Sequence, residues 1–136
     1  MAMSWHMMVE FEPPLVACIV SNANYSFAAL RATKECVIAV PALKLASKVV
    51  AVGNCSGLDM DKFKRFGLTP APAERVAPPL VAECFANFEC KVADTRLVNK
   101  YNLLSLKCSR HGSIRRKRTR RPFTIMDMAA SLWMAR

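Results

Sequence analysis

The sequence predicts a mainly β domain of the α+β class, with an antiparallel sheet or barrel and peripheral helices. Two short and almost continuous apolar runs, 15–21 and 36–40, are typical of strands that are covered on both faces. Residues 84–92 alternate instead, which indicates a half-buried antiparallel strand. Because strands and helices follow each other without a regular βαβ repeat, an antiparallel arrangement is favoured.

The segments between these strands predict the helices. Residues 26–33 form the first predicted helix, with Asn24 or Ser26 as its N-cap, and residues 42–52 form the second. Asp59 is the expected cap of a short helix that ends at Gly67.

The rest of the chain to residue 106 has less regular signals. Four prolines in residues 68–82 indicate an irregular, extended crossing, and a further strand is expected within 94–106. On the solvent side of strand 84–92 we expect Phe85, Asn87, Glu89 and Lys91.

The length and composition of the chain limit the classes of protein to which it can belong. The chain has 136 residues and 53% hydrophobic content, enough for one domain with a packed core. It has no apolar run of membrane-spanning length and no secretory pattern at its start, so we expect a cytoplasmic protein without a membrane span. Its six cysteines include no C-x-x-C pair, so a zinc site is not predicted, and reduced structural cysteines are favoured over a disulfide framework.

The net charge of +10 belongs mainly to the end of the chain. Residues 1–102 hold 11 basic and 9 acidic side chains, whereas residues 103–136 hold 9 basic side chains and one acid, Asp127. The basic run 115–121 suits a phosphate backbone, so a nucleic-acid-binding or adaptor protein that acts through this tail is the alternative function. A solvated tail explains the same run, and no nucleic-acid-binding fold is recognisable.

Three segments are candidate binding elements. The polar loop 21–26 joins a buried strand to a helix start, where free N–H groups and the helix dipole attract anions, although an ordinary capped helix has the same pattern. Lys62 lies in the first turn of a helix, where a cation is disfavoured unless an anion faces it. Trp5 is suited either to stacking on a planar ligand or to core packing, and a catalytic role for the neighbouring His6 is the minority interpretation.

The order of these segments resembles that of a known family. The strings SWHMM, EPPLV, SNANYS, SGLDMDKF and GLTP follow one another in register over residues 2–102, and this order is similar to the flavin reductase-like FMN-binding split barrels, which include flavoredoxin. The resemblance implies a split β-barrel, a homodimer, FMN near the subunit interface and NAD(P)H as the reductant.

The resemblance also implies the site residues. Trp5 matches an aromatic residue beside the flavin, while Ser26 and Lys62 match contacts of the FMN phosphate. Ser21, Asn22 and Asn24 belong to the loop around that phosphate, and Tyr101 is a further residue on the flavin side. No protein acid or base is nominated, since the flavin carries the hydride chemistry. A non-enzymatic flavin or haem-type binder on the same fold is a further alternative.

The chain departs from the family pattern at both ends. The resemblance implies strands ahead of the position of Met1, and we expect that this chain lacks them, so that its barrel is truncated and its FMN binding weakened or lost. We divide the chain into a partial flavin reductase-like domain, 1–102, and a divergent basic tail, 103–136. Read in another frame with suitable codons, residues 109–136 resemble the family's own continuation, and we take the tail as an out-of-frame product.

Overall fold

A computed structural model describes residues 1–109 and the backbone of residues 132–135. The elements, in chain order, are β1 (Ala2–Met3), β2 (His6–Phe11), β3 (Pro14–Ile19), α1 (Tyr25–Thr33), β4 (Glu35–Val40), a 3₁₀ turn (Leu43–Leu45), α2 (Ala46–Gly53), α3 (Lys62–Phe66), β5 (Pro70–Ala71), β6 (Leu80–Val81), β7 (Ala86–Asp94), α4 (Val98–Tyr101), β8 (Leu103–Ser109) and β9 (Leu132–Ala135).

One large antiparallel sheet organises the described residues. Its seven strands lie in the order β1-β9-β4-β7-β8-β3-β2, and β5 pairs with β6 in a separate ribbon. All neighbouring strands run antiparallel. The expected mainly β class with peripheral helices is therefore confirmed.

The core lies on both faces of the sheet. In β4, Cys36 and Ile38 belong to one apolar cluster with α1, β3 and β8, whereas Val37 and Ala39 belong to a second cluster with α2 and the ribbon β5–β6. A strand covered on both faces has no polar side, which is why residues 36–40 form a continuous apolar run.

The proline-rich crossing, residues 68–82, changes the expected environment of β7. Glu89 was expected to face solvent, but it is 1% exposed. Its carboxylate accepts hydrogen bonds from the backbone N–H groups of Glu74 (3.1 Å to Oε2) and Arg75 (2.6 Å). Further along the crossing, Asn87 binds both backbone groups of Val81. The prediction of a solvent side was therefore wrong for Glu89, because the crossing covers this part of β7, whereas Phe85 and Lys91 are exposed as expected.

Most helix boundaries lie close to the predicted ones. Helix α1 starts at Tyr25 with Asn24 as its N-cap residue. The cap of α3 is Asp61 and not Asp59, since the Asp61 carboxylate accepts from the N–H groups of Phe63 (2.9 Å) and Lys64 (3.2 Å). Gly67 ends α3 in the left-handed conformation with φ 57°, as expected.

Strand β8 extends the domain beyond residue 102. It pairs with β3 on one side and β7 on the other, and Leu104 and Leu106 are fully buried. The first seven residues assigned to the divergent tail are therefore a central strand. The basic run 115–121 lies outside the described residues, and the out-of-frame origin of the tail stays a prediction.

Two of the six cysteines are paired. Cys90 on β7 and Cys108 on β8 face each other and form a disulfide, so the expectation that all cysteines are reduced was wrong for this pair. Cys18 and Cys36 are buried free thiols, and burial raises the pKa of each to about 12. Such thiols are protonated at neutral pH and pack as small apolar groups.

Strand β2 was not predicted, and it forms one edge of the sheet. Its large apolar side chains are exposed: Met7, Met8, Val9 and Phe11. Met7 and Met8 therefore do not pack in the core. Within the described residues, no helix combines the length and apolar character that a membrane span requires.

Candidate functional site

The candidate site lies at one end of the sheet, around the loop 21–24 between β3 and α1. The Val20 N–H donates to the Asn102 carbonyl oxygen (3.1 Å), which joins the end of β3 to the start of β8. The Ser21 hydroxyl oxygen accepts from the Ala23 N–H (3.3 Å), and the Asn24 N–H donates to the Ser21 carbonyl oxygen (3.0 Å). Ser21 thus shapes the loop, while Asn22 and Asn24 are exposed.

The N-terminus of α1 opens onto this loop without a side-chain cap. The Asn24 side chain makes no capping hydrogen bond, and the first turn contains no acidic residue. Ser26 lies in that first turn and is partly buried. Because the first N–H groups of a helix lack intrahelical acceptors and the dipole is positive there, this end of α1 is suited to an anion.

Lys62 and the Tyr25 ring both lie close to Gly57, and the Lys62 ammonium group is already engaged. Its Nζ donates to the carbonyl oxygens of Val52 (2.8 Å) and Cys55 (2.5 Å), at the C-terminal end of α2. Gly57 lies close to both side chains: a Cβ atom at this position would be 3.9 Å from Lys62 Cε and 3.5 Å from the Tyr25 ring. Two of the three ammonium donors therefore bind carbonyl oxygens at the end of α2, and one donor remains.

Two exposed aromatic side chains lie at the same end of the sheet. Trp5 is 69% exposed, and its carbonyl oxygen accepts from the Ile19 N–H (3.0 Å) at the end of β3. Core packing, the alternative for Trp5, is therefore wrong. Tyr101 is 53% exposed and precedes Asn102, with the Lys100 ammonium 5.2 Å from the centre of its ring.

These contacts connect the predicted residues around the loop 21–24. Trp5 binds the backbone of Ile19, two residues before the loop, and Tyr101 precedes Asn102, which binds the backbone of Val20. Lys62 lies near Gly57, which in turn lies near the ring of Tyr25, the residue that follows the loop. The sequence interpretation missed Tyr25 and Gly57. Gly57 lies five residues before Lys62, and a glycine there could have indicated that another part of the chain approaches this segment closely.

His6 lies next to Trp5 but has no catalytic partner in the described part of the chain. Its Nδ1 is buried without a hydrogen bond, and it faces Cys18 across β2 and β3. Burial lowers the pKa of His6, with a backbone contact to Ser4 acting in the opposite direction. Residues 1–109 also contain no group of three metal-binding side chains arranged around one point.

Comparison with known proteins identifies relatives of this chain. A family model described as the flavin reductase like domain matches residues 1–123. An uncharacterized protein of Escherichia coli K12 is 36% identical over 93 residues, which cover 68% of this chain and 49% of that protein.

Solved structures share the fold. Flavoredoxin of Desulfovibrio vulgaris (Miyazaki F) superposes with a TM-score of 0.75 at 25% identity, over 81% of this chain and 58% of that one. A protein of Shewanella frigidimarina described as having a split barrel domain gives a TM-score of 0.69 at 18% identity, over 79% and 56% of the two chains. The chain spans about half the length of the curated relatives that it matches.

Proposed function

This chain belongs to the flavin reductase-like family, and on that premise we propose that it binds FMN at the loop 21–24, with the phosphate at the N-terminus of α1. The observation that carries the proposal is the open start of this helix. Its N-cap side chain makes no capping hydrogen bond, and no carboxylate lies in its first turn to repel a phosphate. Ser26 adds a hydroxyl donor at that place.

The other predicted residues fit a flavin in different ways. Trp5 and Tyr101 are exposed aromatic side chains at the same end of the sheet, suited to covering a planar ring. Asn22 and Asn24 offer amide donors on the loop, and Ser21 holds the loop in shape. Lys62 fits the phosphate as a nearby positive charge with one remaining donor, since its other two donors bind carbonyl oxygens.

The proposed activity is NAD(P)H-dependent flavin reduction. Bound FMN supplies the hydride-accepting chemistry, so the task of the chain's residues is to bind and orient the ring and phosphate. We assign no protein acid or base. We further propose that the protein is cytoplasmic. We also propose that it forms a homodimer, because the exposed apolar side chains of the edge strand β2 are suited to a protein contact. We also propose that the chain corresponds to part of such a reductase, since it spans about half the length of the curated relatives that it matches.

FMN titration of the purified chain, followed by flavin fluorescence, tests the proposal. We expect saturable binding that Ser26→Ala weakens at least about ten-fold, since a hydrogen bond to a charged group contributes about 1.5–3 kcal/mol. Because no hydrogen bond of the Ser26 hydroxyl is present within the described residues, this variant should unfold at the same urea concentration as the parent chain.

Lys62→Met is the matched comparison. It removes two hydrogen bonds to carbonyl oxygens as well as a charge near the phosphate, so we expect weaker FMN binding together with a stability loss of about 1–3 kcal/mol. A folded chain that binds no FMN, or binding that neither variant changes, would refute this site.

A further inference from the structure

Three cysteines form one row across three neighbouring strands. Cys36 on β4 pairs in register with Cys90 on β7, and Cys90 pairs in register with Cys108 on β8. All three belong to the same apolar cluster, so their side chains lie on one face of the sheet. Cys90 therefore has a cysteine on each side, of which Cys108 is the disulfide partner.

The spacing of antiparallel strands brings both neighbours close to Cys90. Directly opposed residues have Cα atoms about 4.5 or 5.5 Å apart, and both values lie in the range of about 4.4–6.8 Å that disulfides span. The Cys90–Cys108 pair, with a Cα–Cα distance of 4.1 Å, is a narrow pair. A residue in the middle of an antiparallel sheet forms a narrow, non-hydrogen-bonded pair with one neighbouring strand and a wide, hydrogen-bonded pair with the other. Cys36–Cys90 is therefore the wide pair, and we expect its disulfide to be the less favoured one.

We propose that Cys36 is a second disulfide partner of Cys90, so that the core holds one disulfide in either of two positions. Cys36 and Cys108 lie on opposite sides of Cys90, so Cys36 approaches the Cys90 sulfur from the side away from the existing bond. This is the line along which a thiolate displaces a leaving thiolate.

The exchange needs no further reactant. The Cys36 thiolate attacks Cys90 Sγ, the Cys36–Cys90 bond forms and the Cys90–Cys108 bond breaks. Cys108 leaves as a thiolate and takes up the proton that Cys36 has released. One disulfide and one thiol are present before and after, so the oxidation state of the chain is unchanged.

Burial controls the rate of this exchange. Cys36 is 3% exposed, and its thiol is protonated at neutral pH. Because only the thiolate attacks, the exchange is expected to accelerate about tenfold for each pH unit below the thiol pKa. Cys18 lies in the same cluster, and its thiol adds to the raised pKa of Cys36. It pairs in register with Leu104 on β8 and not with Cys90, so Cys18→Ser is the control for the choice of disulfide partner.

Disulfide mapping of the full chain tests the proposal. The native protein is incubated at about pH 7, 8 and 9, quenched in acid, blocked with N-ethylmaleimide, and digested after glutamate, lysine and arginine residues. Cleavage after Glu89 separates Cys84 from Cys90, cleavage after Lys91 separates Cys90 from Cys108, and cleavage after Lys44 separates Cys36 from Cys55. We expect a Cys36–Cys90 peptide as the minor species, formed about tenfold faster for each pH unit. Its absence after incubation at pH 9 would overturn the proposal.

The variant Cys108→Ser supplies a second test. With oxidised glutathione as the oxidant, two thiols of the variant become a disulfide while glutathione is reduced, and we expect the Cys36–Cys90 bond. Adding Cys36→Ser should leave Cys90 without an intramolecular bond, whereas adding Cys18→Ser should leave the Cys36–Cys90 bond in place. A Cys18–Cys36 bond in Cys108→Ser, or a free Cys36 in the folded variant, would contradict the assignment. If Cys108→Ser does not fold, mapping of the native chain decides.

Discussion

Glu89→Ala removes the carboxylate that ties the proline-rich crossing to β7. The backbone N–H groups of Glu74 and Arg75 then lose this acceptor. A buried donor without a partner costs about 1–3 kcal/mol. Since Glu74 and Arg75 are exposed residues, water replaces part of the loss, and we expect a total of about 2–4 kcal/mol.

Urea unfolding followed by far-ultraviolet circular dichroism measures this loss as a lower midpoint at an unchanged slope. Glu89→Gln keeps an oxygen acceptor and the shape of the side chain, so its midpoint should lie between those of the alanine variant and the parent. Asp59→Ala, at an exposed carboxylate, is the control. If Glu89→Ala unfolds at the same midpoint as Asp59→Ala, the carboxylate does not hold the crossing and the argument is refuted.

Three further predictions use the same unfolding measurement. Asp61→Ala removes the cap of α3 and should cost about 1 kcal/mol, whereas Asp61→Asn should retain most of the stability. Gly67→Ala places a side chain at φ 57° and should cost about 1 kcal/mol, with no loss expected for Gly53→Ala inside a helix. The third prediction concerns the loss of folding stability at acid pH. The Ala77 N–H and then Lys91 lower the pKa of Glu35; burial of Glu83 opposes its ionisation, but Thr69 hydrogen bonds lower its pKa overall. Both groups therefore stabilise the fold above their unfolded pKa of about 4.3, and this stability is lost as pH falls through their folded values. A midpoint that is constant from about pH 4.5 down to pH 3 would contradict this expectation.

The buried strands were predictable because a buried strand has a continuous or alternating run of apolar residues in the sequence. Residues 15–21, 36–40 and 84–92 correspond to β3, β4 and β7 within a few residues. Strand β2 left no such trace, since its apolar side chains point to solvent on both faces and give no alternation. The burial of Glu89 was equally hidden, because it depends on where an irregular segment crosses the sheet.

Part of the candidate site follows directly from the sequence. The start of α1 follows from local chemistry, and the resemblance to the family implies Trp5, Lys62 and Tyr101 as further site residues. The engagement of Lys62 with Val52 and Cys55 could not be predicted, because it depends on the packing of α2 against α3. The pairing of Cys90 depends on strand register, which cysteine spacing alone does not determine.

The measurement that tests the central claim most directly compares FMN with riboflavin, which lacks the phosphate. If the start of α1 binds the phosphate, FMN should bind the folded chain at least about tenfold more tightly than riboflavin, a difference of about 1.4 kcal/mol. Ser26→Ala should narrow this difference by weakening FMN binding alone. Equal affinities for FMN and riboflavin in the parent chain would contradict a phosphate site at the start of α1.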